Sequence, residues 1–174
     1  GGRYPVKLTQ QTLDLAESYG IKVIAGFWID TPGPWCDGEQ LQYSPPAFLD
    51  PDNPEYTAER TAIVFRFKAY VEQFKDHPAI LFWAIGNENN NSIPEEYEGE
   101  TRFLVSWYSL INQLAFEAHK NECPTYLDPE CNTYHPVALV NGGLDYIGDP
   151  AVGASDALMP YLDIWGVNAY RPNS

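Results

Sequence analysis

Apolar residues in this chain follow two spacings that alternate along its length. Leu8 and Leu13 bracket the polar run Thr9, Gln10, Gln11 and Thr12, which marks Thr9 as a helix N-cap inside a hydrophobic staple. Leu13, Leu15, Ala16 and Tyr19 carry that helix on, and Gly20 closes it as a C-terminal cap. The spacing then changes. IKVIAGFWI, residues 21–29, is β-branched and apolar at consecutive positions, the pattern of a strand covered on both faces. Residues 30–53 hold Pro32, Pro34, Pro45, Pro46 and Pro51 among Gly and Asp, and read as loop. Asn53-Pro54 opens a long helix with Ile63, Phe67, Val71 and Phe74 down one side.

The alternation continues to the end of the sequence. AILFWAIG, residues 79–86, is a second strand, and residues 100–121 form a third helix striped by Leu104, Trp107, Tyr108, Ile111, Leu114 and Ala118. VALVN at 137–141 is a third strand, a turn-rich stretch with one short helix occupies 142–162, and LDIWGVNAY at 162–170 is a fourth strand. Doubly apolar strands alternating with helices predict an α/β protein with a parallel sheet. An open nucleotide-binding sheet would carry a Gly-rich turn between its first strand and helix, and GGLDYIG at 142–148 is too loosely spaced to serve. Polar or aromatic groups instead gather just past each strand: Trp28 and Asp30, then Asn87 and Glu88, then Asn141, then Asn168 and Tyr170. A (β/α)8 TIM barrel keeps its active site at that end, so the predicted architecture is about four parallel strands of such a barrel.

Composition narrows the partners. The 174 residues are 44% apolar, enough for one core, and carry a net charge of −14, which argues against nucleic acid or an anionic membrane surface. No run approaches the roughly 18 apolar residues of a membrane span, so no membrane insertion is expected. The opening GGRYPVKLTQQ has no signal-peptide pattern, so any targeting segment was removed or lay upstream. Aromatic residues reach 14%, with 5 Trp and 12 Tyr; most are expected to fill the core, and a few would offer flat rings to carbohydrate.

Three stretches carry a family resemblance. HPAILFWAIGNEN at 77–89 resembles the acid/base strand of the clan A retaining glycoside hydrolases, most of all glycoside hydrolase family 2. AESYGIKVIAGFW at 16–28 resembles the helix and third strand of the same barrel, and LDIWGVNAYR at 162–171 resembles its sixth strand, which typically ends in Asn-x-Tyr. The resemblance implies that Glu88 is the general acid/base and that Asn87 bonds the sugar 2-hydroxyl. It places Tyr170 near the nucleophile and offers Trp28 or Trp35 as a stacking ring, with Asp30, Asn141 and Asn168 completing the expected substrate-binding set. The implied activity is hydrolysis of a β-linked glycan by retaining double displacement, an EC 3.2.1-type reaction that needs no cofactor and no metal. Protonating a glycosidic oxygen near neutral pH calls for a carboxyl that keeps its proton, and a strand end in a low-dielectric barrel mouth is where one is found. The amides around Glu88 are expected to bond sugar without competing charge.

The same likeness implies that something is missing. Retaining hydrolysis needs a second carboxylate about 5 Å from the first, and in this clan it stands at the end of the seventh strand. Residues 1–174 are therefore expected to be a single partial barrel lacking the first two and last two strands, inactive alone and completed by the remainder of the barrel from the same or another chain. Glu95, Glu96, Glu98 and Glu100 follow Pro94 and read as a solvated face, not as a replacement nucleophile. An alternative is an inactive barrel with a carbohydrate-binding or structural role in a cell-surface or extracellular assembly. Another is an unrelated barrel enzyme that uses Glu88 as metal ligand or base.

Cysteine usage bears on the compartment. Cys123 and Cys131 bracket the short loop CPTYLDPEC, whose closure by a disulfide is easy and would imply a secreted, extracellular or lumenal protein. His119 and His135 extend the pair to a zinc-like set, and two free buried thiols are the third option; Cys36 is left over. The glycosylation sequon Asn90-Asn91-Ser92 lies two residues past Glu88, where a glycan would block the mouth, and is not expected to be used.

Overall fold

The computed structural model describes residues 7–29, 45–91, 99–123 and 134–169. Three helices, α1 (Gln10–Ser18), α2 (Tyr56–Phe74) and α3 (Thr101–Glu122), alternate with four strands, β1 (Val23–Phe27), β2 (Ile80–Ile85), β3 (Val137–Asn141) and β4 (Ile164–Val167). All neighbouring strands are parallel, and their order across the sheet is β1-β2-β3-β4. Unbroken sequential order decides between the two candidate architectures. A doubly wound sheet reverses its strand order at a switch point, whereas barrel strands follow one another as staves.

Local signals set the element ends. Thr9 accepts the Thr12 N–H at 3.2 Å while Thr12 Oγ1 accepts the Thr9 N–H at 3.1 Å, a reciprocal capping box. Gly20, at φ +68, ends α1: its N–H donates to Glu17 O and the Ile21 N–H to Ala16 O, the paired bonds of a Schellman motif. The predicted start of α2 is two residues early. Asn53 Oδ1 accepts the Glu55 N–H at 2.9 Å and builds a turn around Pro54, so helical bonding begins at Tyr56. The short helix foreseen within 142–162 is a single 3₁₀ turn, Pro150–Val152, capped by Asp149.

Helices cover one face of the sheet. Register and alternation send Ala25, Phe27, Trp83, Ile85, Val137 and Leu139 toward α2 and α3. Ile63, Phe67, Val71 and Phe74 meet them as expected, with the Phe27 and Phe67 rings 5.0 Å apart and those of Tyr70 and Trp83 5.8 Å apart. On the other face Ile24 and Ile164 are exposed, because among the described residues nothing lies over them. A closed barrel would cover that face with its remaining strands. Within α1 only Leu13 is buried; Leu15 and Tyr19 stand in solvent.

The N-terminal ends of the strands are fastened by two carboxylates. Glu122, almost fully buried, accepts from Trp83 Nε1 at 2.7 Å and from the His135 backbone N–H. Asp163 Oδ2 accepts the Val137 N–H at 2.8 Å and pairs with His119 Nε2 at 2.9 Å. Each histidine of the zinc alternative thus has a carboxylate partner, and among the described residues no His/Cys/Asp/Glu group is arranged to hold a metal ion. Cys123 is buried at the end of α3, and Cys131 lies outside the described residues. No described helix is long and apolar enough to cross a membrane.

Burial raises the phenols of Tyr70 and Tyr108 to about 12 from the ordinary 10. The unfolded chain therefore releases these protons near pH 10 while the folded one holds them, so stability is fully present below pH 10 and falls as pH rises toward 12. Denaturation followed from pH 9 to 12 is expected to show that loss, with a shallower slope in Tyr70→Phe.

Candidate active site

The exit of β2 is built from glycine and amides. Gly86 turns at φ +64, its N–H donating to Phe27 O at 2.9 Å. A Cβ there would lie 2.4 Å from Asn89 Oδ1 and 2.9 Å from the Trp107 ring, so only glycine fits. Glu88 follows at φ +56, a left-handed conformation that costs a non-glycine residue about 1 kcal/mol or more. Two backbone bonds hold it there: Glu88 N–H to Val140 O and Asn91 N–H to Glu88 O, each 2.9 Å.

The three asparagines after Glu88 form a 3₁₀ turn, Asn89–Asn91, and two of them are buried. Asn89 accepts the Asn87 N–H and donates to Ile29 O, both at 2.9 Å. Asn90 accepts the Gly142 N–H at 2.9 Å, and Asn91 donates to Gly142 O at 3.3 Å. The sequence suggested that these amides bond sugar; in the fold they bond the protein itself and tie β2 to the ends of β1 and β3. Strand ends leave backbone donors and acceptors without ladder partners, and buried ones must find others. Asn90 is the sequon residue, and its buried, bonded amide leaves no room for a glycan in the folded chain.

Three predicted residues come together at the rim. Asn168, just past β4, donates through Nδ2 to Glu88 Oε1 at 2.7 Å and to Asn87 Oδ1 at 2.9 Å. Asn87 is exposed and Glu88 half-buried. Trp28 follows β1 at the same rim, half exposed. Asn141 is placed elsewhere. Strand alternation turns it to the helix side, where it is fully buried and donates to the Tyr108 hydroxyl at 3.1 Å. Its partner Tyr108, and the clasping role of Asn89, Asn90 and Gly142, were not foreseen; the amide run beside two glycines is the signal that could have shown them. Asp30, Trp35 and Tyr170 lie outside the described residues.

Residues 2–113 match the family described as Glycosyl hydrolases family 2, TIM barrel domain, well over half of the chain. The chain is 33% identical over 76 residues to the Beta-galactosidase large subunit of Leuconostoc lactis, covering 43% of this chain and 11% of that protein. It is 30% identical over 95 residues to a Beta-galactosidase of Clostridium acetobutylicum, 54% of this chain and 9% of that one. A Beta-galactosidase of Priestia megaterium is 26% identical over 141 residues, 77% of this chain and 13% of the relative. The chain spans about a tenth of the length of these relatives.

Replacing Asn141 by alanine strips the buried Tyr108 hydroxyl of its amide partner, at a cost of about 1–3 kcal/mol. Denaturant titration is expected to register that loss, while KM for any sugar bound at the rim stays unchanged.

Proposed function

Because this chain belongs to the TIM-barrel domain of the family 2 glycosyl hydrolases, we propose that it supplies the acid/base half of a retaining β-glycosidase active site. Glu88 is the general acid and then the general base, and Asn87 bonds the 2-hydroxyl of the sugar. The nucleophile comes from outside this segment, which is one portion of a barrel completed by further strands. The observation that carries the reading is Glu88 itself: a carboxylate held in a left-handed turn at the C-terminal rim of a parallel sheet, beside an exposed amide. Structural need does not explain it, since the amides around it already satisfy the strand ends. The relatives' names suggest a β-galactoside as the first substrate to try.

The test is turnover of aryl β-glycosides by the full-length protein, wild type beside Glu88→Ala. Loss of the acid/base should cost roughly 10²–10⁴-fold on substrates with poor leaving groups. Azide should restore turnover of the variant on an activated substrate and yield a β-glycosyl azide, since the anion replaces water without needing a base. A wild type that binds oligosaccharide but cleaves nothing sinks the enzymatic reading in favour of an inactive, sugar-binding barrel.

We also propose that Cys123, buried at the end of α3, pairs with Cys131, and that the protein works in an oxidising, secreted or cell-surface setting. Alkylation of the native protein followed by peptide mass mapping is expected to recover the 123 and 131 peptides linked. Free alkylated thiols at both positions would remove the argument for that compartment.

A further inference from the structure

Resting on the reading of Glu88 as the acid/base, we propose that Asn168 is the positioning residue of that acid, its NH₂ committed to Glu88 and Asn87 rather than to sugar. A primary amide nitrogen carries two hydrogens. Both are committed, one to Glu88 Oε1 at 2.7 Å and one to Asn87 Oδ1 at 2.9 Å. Facing the ionised carboxylate, which only accepts, the amide presents its NH₂. Asn168 Nδ2 therefore has no hydrogen left for a hydroxyl of the substrate.

The reach is unusual for a rim residue. Asn168 stands on the end of β4 and Glu88 on the end of β2, with β3 between them. The bridge passes over the end of β3, where Gly142 keeps the space open: a Cβ on it would sit 3.1 Å from Glu88 Cβ and 2.1 Å from Asn91 Nδ2. The backbone at residue 168 is held separately, its N–H donating to Asn141 O at 2.9 Å, so the side chain is not needed to keep β4 in the sheet.

Two consequences follow for the chemistry. Oε1 accepts a short N–H bond, which fixes the orientation of the carboxyl that delivers the proton. Asn87, its oxygen taken, turns its NH₂ outward and meets the substrate as a donor. In the first step the Glu88 proton passes to the glycosidic oxygen as the C1–O bond breaks, its electron pair stays on that oxygen, and the external carboxylate bonds C1. In the second, Glu88 takes a proton from water as the water oxygen bonds C1 and the carboxylate leaves. Asn168 holds Glu88 for both, and matters most where the leaving oxygen needs its proton.

The experiment compares wild type with Asn168→Ala and the near-isosteric Asn168→Asp, in the full-length protein, on one glycone with a series of aglycones. kcat/KM reports the first step alone. It should fall roughly 10–100-fold for alkyl and weakly acidic aryl aglycones, and stay within about twofold for dinitrophenyl glycosides, which leave without a proton. Azide should raise kcat of the variants on the dinitrophenyl substrate, and their melting transitions should match the wild type. An equal loss on every aglycone with a raised KM overturns the proposal and makes Asn168 a sugar contact. No loss on any aglycone overturns it too, leaving a bystander. Inertness of the wild type on every glycoside is a different result: it removes the acid/base reading and this inference with it.

Discussion

Strand ends in a parallel sheet leave backbone groups with no further ladder to join, and this molecule settles that debt at its C-terminal rim with neutral amides. Ile29 O, the Asn87 N–H, and both polar groups of Gly142 are all taken by side chains of Asn89, Asn90 and Asn91. The bonds run from β2 to the ends of β1 and β3, so the position of the Glu88 turn is set by three strands at once. A carboxylate held by only its own loop would sample many positions. Here it can keep a left-handed backbone because its surroundings over-determine it.

Both glycines at this rim serve close approach. At Gly86 the Trp107 ring comes up from the helix layer and Asn89 folds back over the turn; at Gly142 the side chains of Asn91 and Glu88 close in. The two rims of the sheet are consequently built differently. The opposite one uses carboxylates, with Glu122 and Asp163 collecting histidines, an indole and backbone N–H groups. That chemistry suits a rim that only has to hold. The amide rim holds its shape without adding any charge beside Glu88.

Much of this could be read from the chain. Periodicity gave the four strands, the stripe of Ile63, Phe67, Val71 and Phe74, and the ends of α1 at Thr9 and Gly20, since caps and apolar spacing are local signals. The likeness around Glu88 located the rim at which Asn87 and Asn168 meet it. Side-chain direction was harder. Asn141 and Asn168 both follow apolar strands, yet alternation sends one to Tyr108 among the helices and the other to the mouth. Whether an asparagine faces a ligand or the backbone depends on the neighbouring strand end, which residue type alone does not disclose. The start of α2 was missed by two residues because Asn53 can cap a turn as readily as a helix.

Asn141-Gly142 carries a hazard that its surroundings remove. An asparagine followed by glycine is the pair in which the side-chain amide most readily cyclises onto the next backbone nitrogen, converting the residue to aspartate or its isomer. Here the glycine nitrogen is engaged with Asn90, and the asparagine amide is buried against Tyr108. Deamidation has to wait for the rim to open. The site's chemical lifetime is therefore set by how seldom that end of the sheet comes apart.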